Sequence, residues 1–148
     1  MGGKEVKEMK GLGKLFNVVA VASGLSVSLK NAAGVTFVGK QDTTGTVYTF
    51  TQTIAGAGSV TLLLDPDSYV GGGIGGVWTH VAATGTKIAT LTKSAGAGSN
   101  CICFYVGADE LTDGYDSVVC TAGGGTLVAI VHDLLIQRDP ANLPVSAV

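Results

Sequence analysis

From position 18 onward the chain is a train of short β-prone runs, each cut off by a cluster of turn residues. Few folds accommodate that pattern. The runs fall at 18–21, 25–29, 35–38, 47–51, 60–64, 77–81, 87–92, 101–106, 117–121 and 126–136. Clusters of Gly, Asn, Asp and Ser separate them at 31–34, 55–59, 65–68, 71–76, 95–100 and 123–125. Val and Thr dominate the runs, and their branched side chains suit a pleated surface better than a helix. Strand-sized segments at ~8–12-residue spacing are the pattern of a sandwich or barrel. The expectation is an all-β fold, an antiparallel β-sandwich or barrel, with one helical turn at 108–113.

Such a domain must still cover its surface. The chain is 46% hydrophobic and 14% charged, with a mean hydropathy of +0.43. An ordinary soluble domain carries roughly 25% charged residues, so little polar material is left to coat a free monomer. The longest apolar stretch, around 15–22, is interrupted by Asn17 and falls well short of the ~20 residues of a membrane span. Burial against other protein is the economical reading, and it makes the chain a subunit of an assembly with no membrane partner. Net charge is −2 and the one arginine is Arg138. A nucleic-acid surface needs clustered cations, so direct nucleic-acid binding is not expected.

The two ends differ from the middle. Residues 1–16 read as an N-terminal arm, 17–136 as the β domain and 137–148 as an extended C-terminal tail. The arm concentrates charge in Lys4, Glu5, Lys7, Glu8, Lys10 and Lys14, while Gly2, Gly3, Gly11 and Gly13 limit any helix to a turn or two. Pro140 and Pro144 forbid regular helix or sheet in the tail. Extensions of this kind have few internal partners, so the expected contacts to neighbouring subunits are Lys4, Lys7, Lys10, Lys14 and Phe16 in the arm. In the tail they are Arg138, Pro140, Leu143 and Pro144. Export is not expected, because Glu5 and Glu8 spoil a basic leader and the apolar run is short. Val6 stands where a myristoylation signal needs Ser or Thr.

Motifs that carry chemistry are thin. Gly71-Gly72-Gly73-Ile74-Gly75-Gly76 matches G-x-G-x-x-G, but a strand pattern with Trp78 follows where a dinucleotide fold needs a helix. The stretch from Gly34 to Lys40 has P-loop spacing, yet Gln41 replaces the magnesium-binding hydroxyl and the interior reads as a strand. Cys101 and Cys103 with Cys120 and His132 fit no standard zinc spacing, and the three thiols read as reduced core residues. His80 and His132 sit among strand residues, where a histidine satisfied within a sheet is commoner than a catalytic base. Asp109, Glu110, Asp113 and Asp116 gather around a turn without the EF-hand spacing. No catalytic residue, metal or cofactor is nominated, and an enzyme is not expected.

The last third has the most distinctive order. Asp113-Gly114-Tyr115-Asp116 opens a strand, Gly123-Gly124-Gly125 suggests a hairpin turn, and Val128 to Leu134 forms the returning strand. The tail follows as Gln137-Arg138-Asp139-Pro140-Ala141-Asn142-Leu143-Pro144. This string resembles a group of small virion proteins from tailed bacteriophages of actinobacteria, which share a D-G-Y/F-D entry, an H-D-L-like strand and a Q-R-x-P-A-N-L-P tail. Ala33 to Val38, Val47 to Phe50 and Val77 to Val81 are similar to that group as well, so the likeness spans about residues 30–148. The resemblance implies a capsid decoration or minor capsid protein that binds the major capsid protein from outside and stabilises the lattice. It implies a homo-oligomer, a trimer in the favoured arrangement, located in the virion and assembled in the bacterial cytoplasm. Two other readings stay open: a tail tube or tail-tip subunit, and a host-surface or carbohydrate-binding module using Trp78, Tyr69 and Tyr48.

Overall fold

The computed structural model describes residues 18–21, 26–40, 46–54, 57–71, 77–93 and 101–132. Among them are eleven strands and one 3-10 turn. The strands are β1 (Val18–Val21), β2 (Ser26–Ser28), β3 (Gly34–Lys40), β4 (Thr46–Ile54), β5 (Ala57–Thr61) and β6 (Ser68–Gly71). They continue with β7 (Thr79–Val81), β8 (Thr90–Lys93), β9 (Cys101–Gly107), β10 (Ser117–Ala122) and β11 (Thr126–His132). The 3-10 turn, Ala108–Glu110, follows β9 directly.

These strands form two antiparallel sheets packed face to face. One has the order β1-β11-β3-β9-β6-β7 and the other β2-β10-β4-β5, with β8 also paired to β4. The nine-residue β4 is long enough to hold both partners on one edge, β8 against Thr46 to Thr49 and β5 against Thr51 to Ile54. The all-β sandwich expected from the spacing of turns is therefore the fold.

Alternation along each strand builds the core. Val35 and Phe37 of β3, Ile102, Phe104 and Val106 of β9, and Leu127, Ala129 and Val131 of β11 point inward from the six-stranded sheet and are buried. Val27, Tyr48, Phe50, Leu91, Val118 and Cys120 answer from the other sheet. Phe104 is the hub: its ring lies 5.4 Å from Phe37, 5.7 Å from Tyr48 and 5.6 Å from Phe50. Two of those contacts cross between sheets, so one side chain welds both layers. The edge-on geometry adds to the area that the rings bury.

One end of the sandwich is sealed by polar pairing. The buried Gln52 amide donates to Thr112 Oγ1 at 2.8 Å and accepts the Thr112 N–H at 2.8 Å. Nearby, the Asp116 N–H donates to the Thr53 carbonyl and the Leu29 N–H to that of Asp116.

Several local expectations need correction. The Gly123-Gly124-Gly125 turn does not close a hairpin: β10 lies between β2 and β4 in one sheet, while β11 lies between β1 and β3 in the other. Both flanks of each strand are already paired, so the glycines carry the chain across the sandwich edge. The crossing is anchored where the Gly123 N–H donates to the Val47 carbonyl, and Gly125 turns it at φ +76°. Strand β6 falls in a region read as two turn clusters, because its four residues are too few to show alternation. The helical turn is shorter than expected. Of the cysteines, all free thiols, only Cys120 is a core residue; Cys101 and Cys103 are half-buried on the outer face of β9.

Candidate functional site

The registers of the six-stranded sheet define its outer face. Val18, Ile130, Thr36 and Tyr105 form one cross-strand row, and Val128, Val38, Cys103, Tyr69 and His80 the next. Val18, Tyr69 and Tyr105 are exposed. Over β3, β9 and β6 this face sinks into an open groove of about 640 Å³. Thr36, Tyr69, Cys103 and Tyr105 line its sheet side, while Asp65 and Asp67 come from the segment before β6 and Asp109 and Glu110 from the 3-10 turn.

Each part of the groove has a local cause. Tyr105 lies across Gly34, where a Cβ would run into its ring and hydroxyl, so the glycine is what lets the ring lie flat. The Tyr105 hydroxyl donates to the Ala33 carbonyl at 3.3 Å. Beside it the Thr36 hydroxyl and His132 Nε2 are 2.6 Å apart, a diagonal bond that ties β3 to β11. Glu110 Oε2 accepts the Gly107 N–H at 2.8 Å and fixes the 3-10 turn.

Asp65 and Asp67 clasp the loop at 82–86. Asp65 accepts the N–H of Thr84 at 2.8 Å and of Gly85 at 2.7 Å. Asp67 Oδ1 accepts the Ala83 N–H at 2.7 Å and faces His80 Nε2 at 3.2 Å. The Ala83 amide, with His80 second, holds the Asp67 carboxyl below its ordinary pKa. Stacked on His80 at 5.0 Å, Tyr69 closes this side.

The opposite broad face, on the five-stranded sheet, has another chemistry. Its rows read Ser28, Ser117, Thr53, Ser59, then Val119, Thr51, Thr61, then Thr121, Thr49, Thr90 and finally Val47, Thr92. No charged residue occupies those positions. Ser117, Thr53 and Val119 are buried there despite facing away from the core, whereas Thr61, Thr90, Thr92 and Thr121 are exposed.

The contact residues expected in the arm (Lys4, Lys7, Lys10, Lys14, Phe16) and in the tail (Arg138, Pro140, Leu143, Pro144) lie outside the described residues. Tyr48, offered as part of a sugar platform, is fully buried in the core and cannot serve there; Trp78 and Tyr69 are exposed. Cys101 and Cys103 on an outer face and Cys120 in the core do not converge with His132. Among the described residues, no group of three or more His, Cys, Asp or Glu could hold a metal ion, and no helix is long and apolar enough to cross a membrane. Sequence reasoning passed over Tyr105, although the alternation with Phe104 and Val106 places it outward.

In comparisons with known proteins the chain matches no family model, no curated protein and no solved structure.

Proposed function

We propose that this chain is a structural virion protein that binds the outer lattice of a bacteriophage capsid and stabilises it as a decoration or minor capsid protein. The observation that carries the reading is the low charge of the broad faces: no charged residue lies in the outward rows of the five-stranded sheet, and the six-stranded face is apolar on the β1 side of its acidic groove. The apolar part runs from Val18 through Ile130 and Val38, and the five-stranded face is a grid of Ser and Thr hydroxyls. Burying a charge is costly unless it is paired and hydrogen-bonded, whereas apolar surface docks without that cost and a hydroxyl does so wherever it keeps a hydrogen bond. A two-faced sheet sandwich of this kind suits a lattice component, and its role is buried area and added cross-links instead of chemistry. The sequence resemblance to small actinobacteriophage virion proteins points the same way, and the tail residues Arg138, Pro140, Leu143 and Pro144 are the contacts assigned to the major capsid protein.

The test is sedimentation of the purified full-length chain with phage heads assembled without it. The reading expects the chain to pellet with the heads, and a deletion of residues 137–148 to keep its fold while binding more weakly. A full-length chain that stays in the supernatant with heads, and pellets with isolated tails, replaces the lattice role with that of a tube or tip subunit.

A further inference from the structure

We infer that the outer face of the six-stranded sheet is the docking site of the chain's own N-terminal arm. Three observations fit together. First, the face is apolar near β1, with Val18 exposed and Ile130 and Val38 half-buried beside it. Second, it turns acidic over β9 and β6, where Asp65, Asp67, Asp109 and Glu110 border the groove and no Lys or Arg lines it. Third, the segment that enters the sheet at Val18 has the complementary make-up: Lys4, Lys7, Lys10 and Lys14 against Glu5 and Glu8, with Met9, Leu12, Leu15 and Phe16 interspersed.

Register supplies the reach. Val18 is in the same cross-strand row as Ile130, Thr36 and Tyr105, so the arm joins the sheet at the level of the groove. At ~4.8 Å per strand, β3 is ~10 Å from β1 and β6 is ~19 Å away. At ~3.3 Å per residue, Lys14 can extend ~13 Å from Val18 and Lys10 ~26 Å. Asp109 and Glu110 follow β9, three strands from β1, so Lys14 comes within range of them once its side chain is added to that span, and Lys10 comes within range of Asp67 on the far side. Leu12, Leu15 and Phe16 cover Val38 and Ile130 on the way. A tethered segment meets its site at an effective concentration in the ~mM range, which favours the chain's own arm over that of a second copy. The sequence alone leads to the expectation that the arm contacts a neighbour; the inference assigns it to the chain's own sheet instead.

The inference stands apart from the virion reading, because its test needs only purified protein. An equal mixture of unlabelled and heavy-isotope-labelled full-length chains is treated with a zero-length carbodiimide cross-linker and analysed by mass spectrometry. The expected result is linkage of Lys10 or Lys14 to Asp67, Asp109 or Glu110 within chains of one isotope. In the Lys10→Glu/Lys14→Glu variant, hydroxyl-radical oxidation of Tyr69 and Tyr105 rises severalfold. Links between chains of different isotope would assign the groove to a second copy and overturn the inference. Absence of links from either lysine to the groove, or unchanged tyrosine oxidation in the variant, overturns it too.

Discussion

Phe104 is the residue on which the two layers depend most, since its ring touches Phe37 in its own sheet and Tyr48 and Phe50 in the other. Phe104→Ala should cost about 3–5 kcal/mol, the range for aromatic truncation in a core, read as a shift in the denaturant midpoint at unchanged slope. Burial also sorts the thiols. Desolvation pushes the Cys120 thiol up to about 12 and, less strongly, raises that of Cys103. A thiolate-selective reagent at neutral pH should modify the outward Cys101 and Cys103 in the folded protein, and Cys120 only after unfolding. Labelling of Cys120 at the native rate of the others would contradict its placement. Asp67 titrates with the opposite sign. A carboxyl whose pKa is lowered by folding stabilises the fold above its unfolded value, and that contribution disappears as pH falls through the lowered one. The Ala83 amide resonance should therefore shift at a pH below the ordinary aspartate range, reporting release of the clasp on residues 82–86.

At the scale of elements, the ends of the sandwich matter as much as its middle. Gln52 is a buried amide held by Thr112 through a matched pair of hydrogen bonds. Gln52→Leu removes both hydrogen bonds to the exposed Thr112 and should cost about 0.5–1.5 kcal/mol for each, while Gln52→Glu retains the acceptor. Gly34→Ala tests the groove instead. The new methyl has no room between Tyr105 and the Val106 carbonyl, and overpacking of that kind costs about 1–3 kcal/mol; β3 and β9 should shift apart locally, the tyrosine ring swing off β3 and its contact with His132 be lost. Period-two alternation made β3, β4, β9 and β11 legible from the chain alone, because each is seven residues or longer and half-buried, whereas β10, buried on both faces over Ser117 to Cys120, showed only as a short β-prone run. It could not reveal which sheet a strand joins. The Gly123-Gly124-Gly125 segment reads equally well as a tight hairpin and as a crossing between layers, and only the partners on both flanks of β10 and β11 decide. The groove was hidden for the same reason: Asp65, Asp67, Asp109 and Glu110 lie far apart in sequence and meet only because β6 pairs with β9.

For the whole molecule, low charge and the sandwich architecture have one explanation. A 148-residue chain with 14% charged residues folds into two sheets whose outward rows are apolar beside β1 and lead to an acidic groove on one side, and are hydroxyl-rich on the other. Carboxylates are concentrated at the groove, and Asp65, Asp67 and Glu110 among them already hold backbone amides. A lattice environment would bury the hydroxyl-rich face and leave the domain intact. The most direct measurement is the copy number of this chain in purified virions relative to the major capsid protein, by quantitative mass spectrometry of intact particles, heads and tails. The account predicts a fixed, high stoichiometry that survives in tailless heads. Copies confined to tails, or none in the particle, would contradict it.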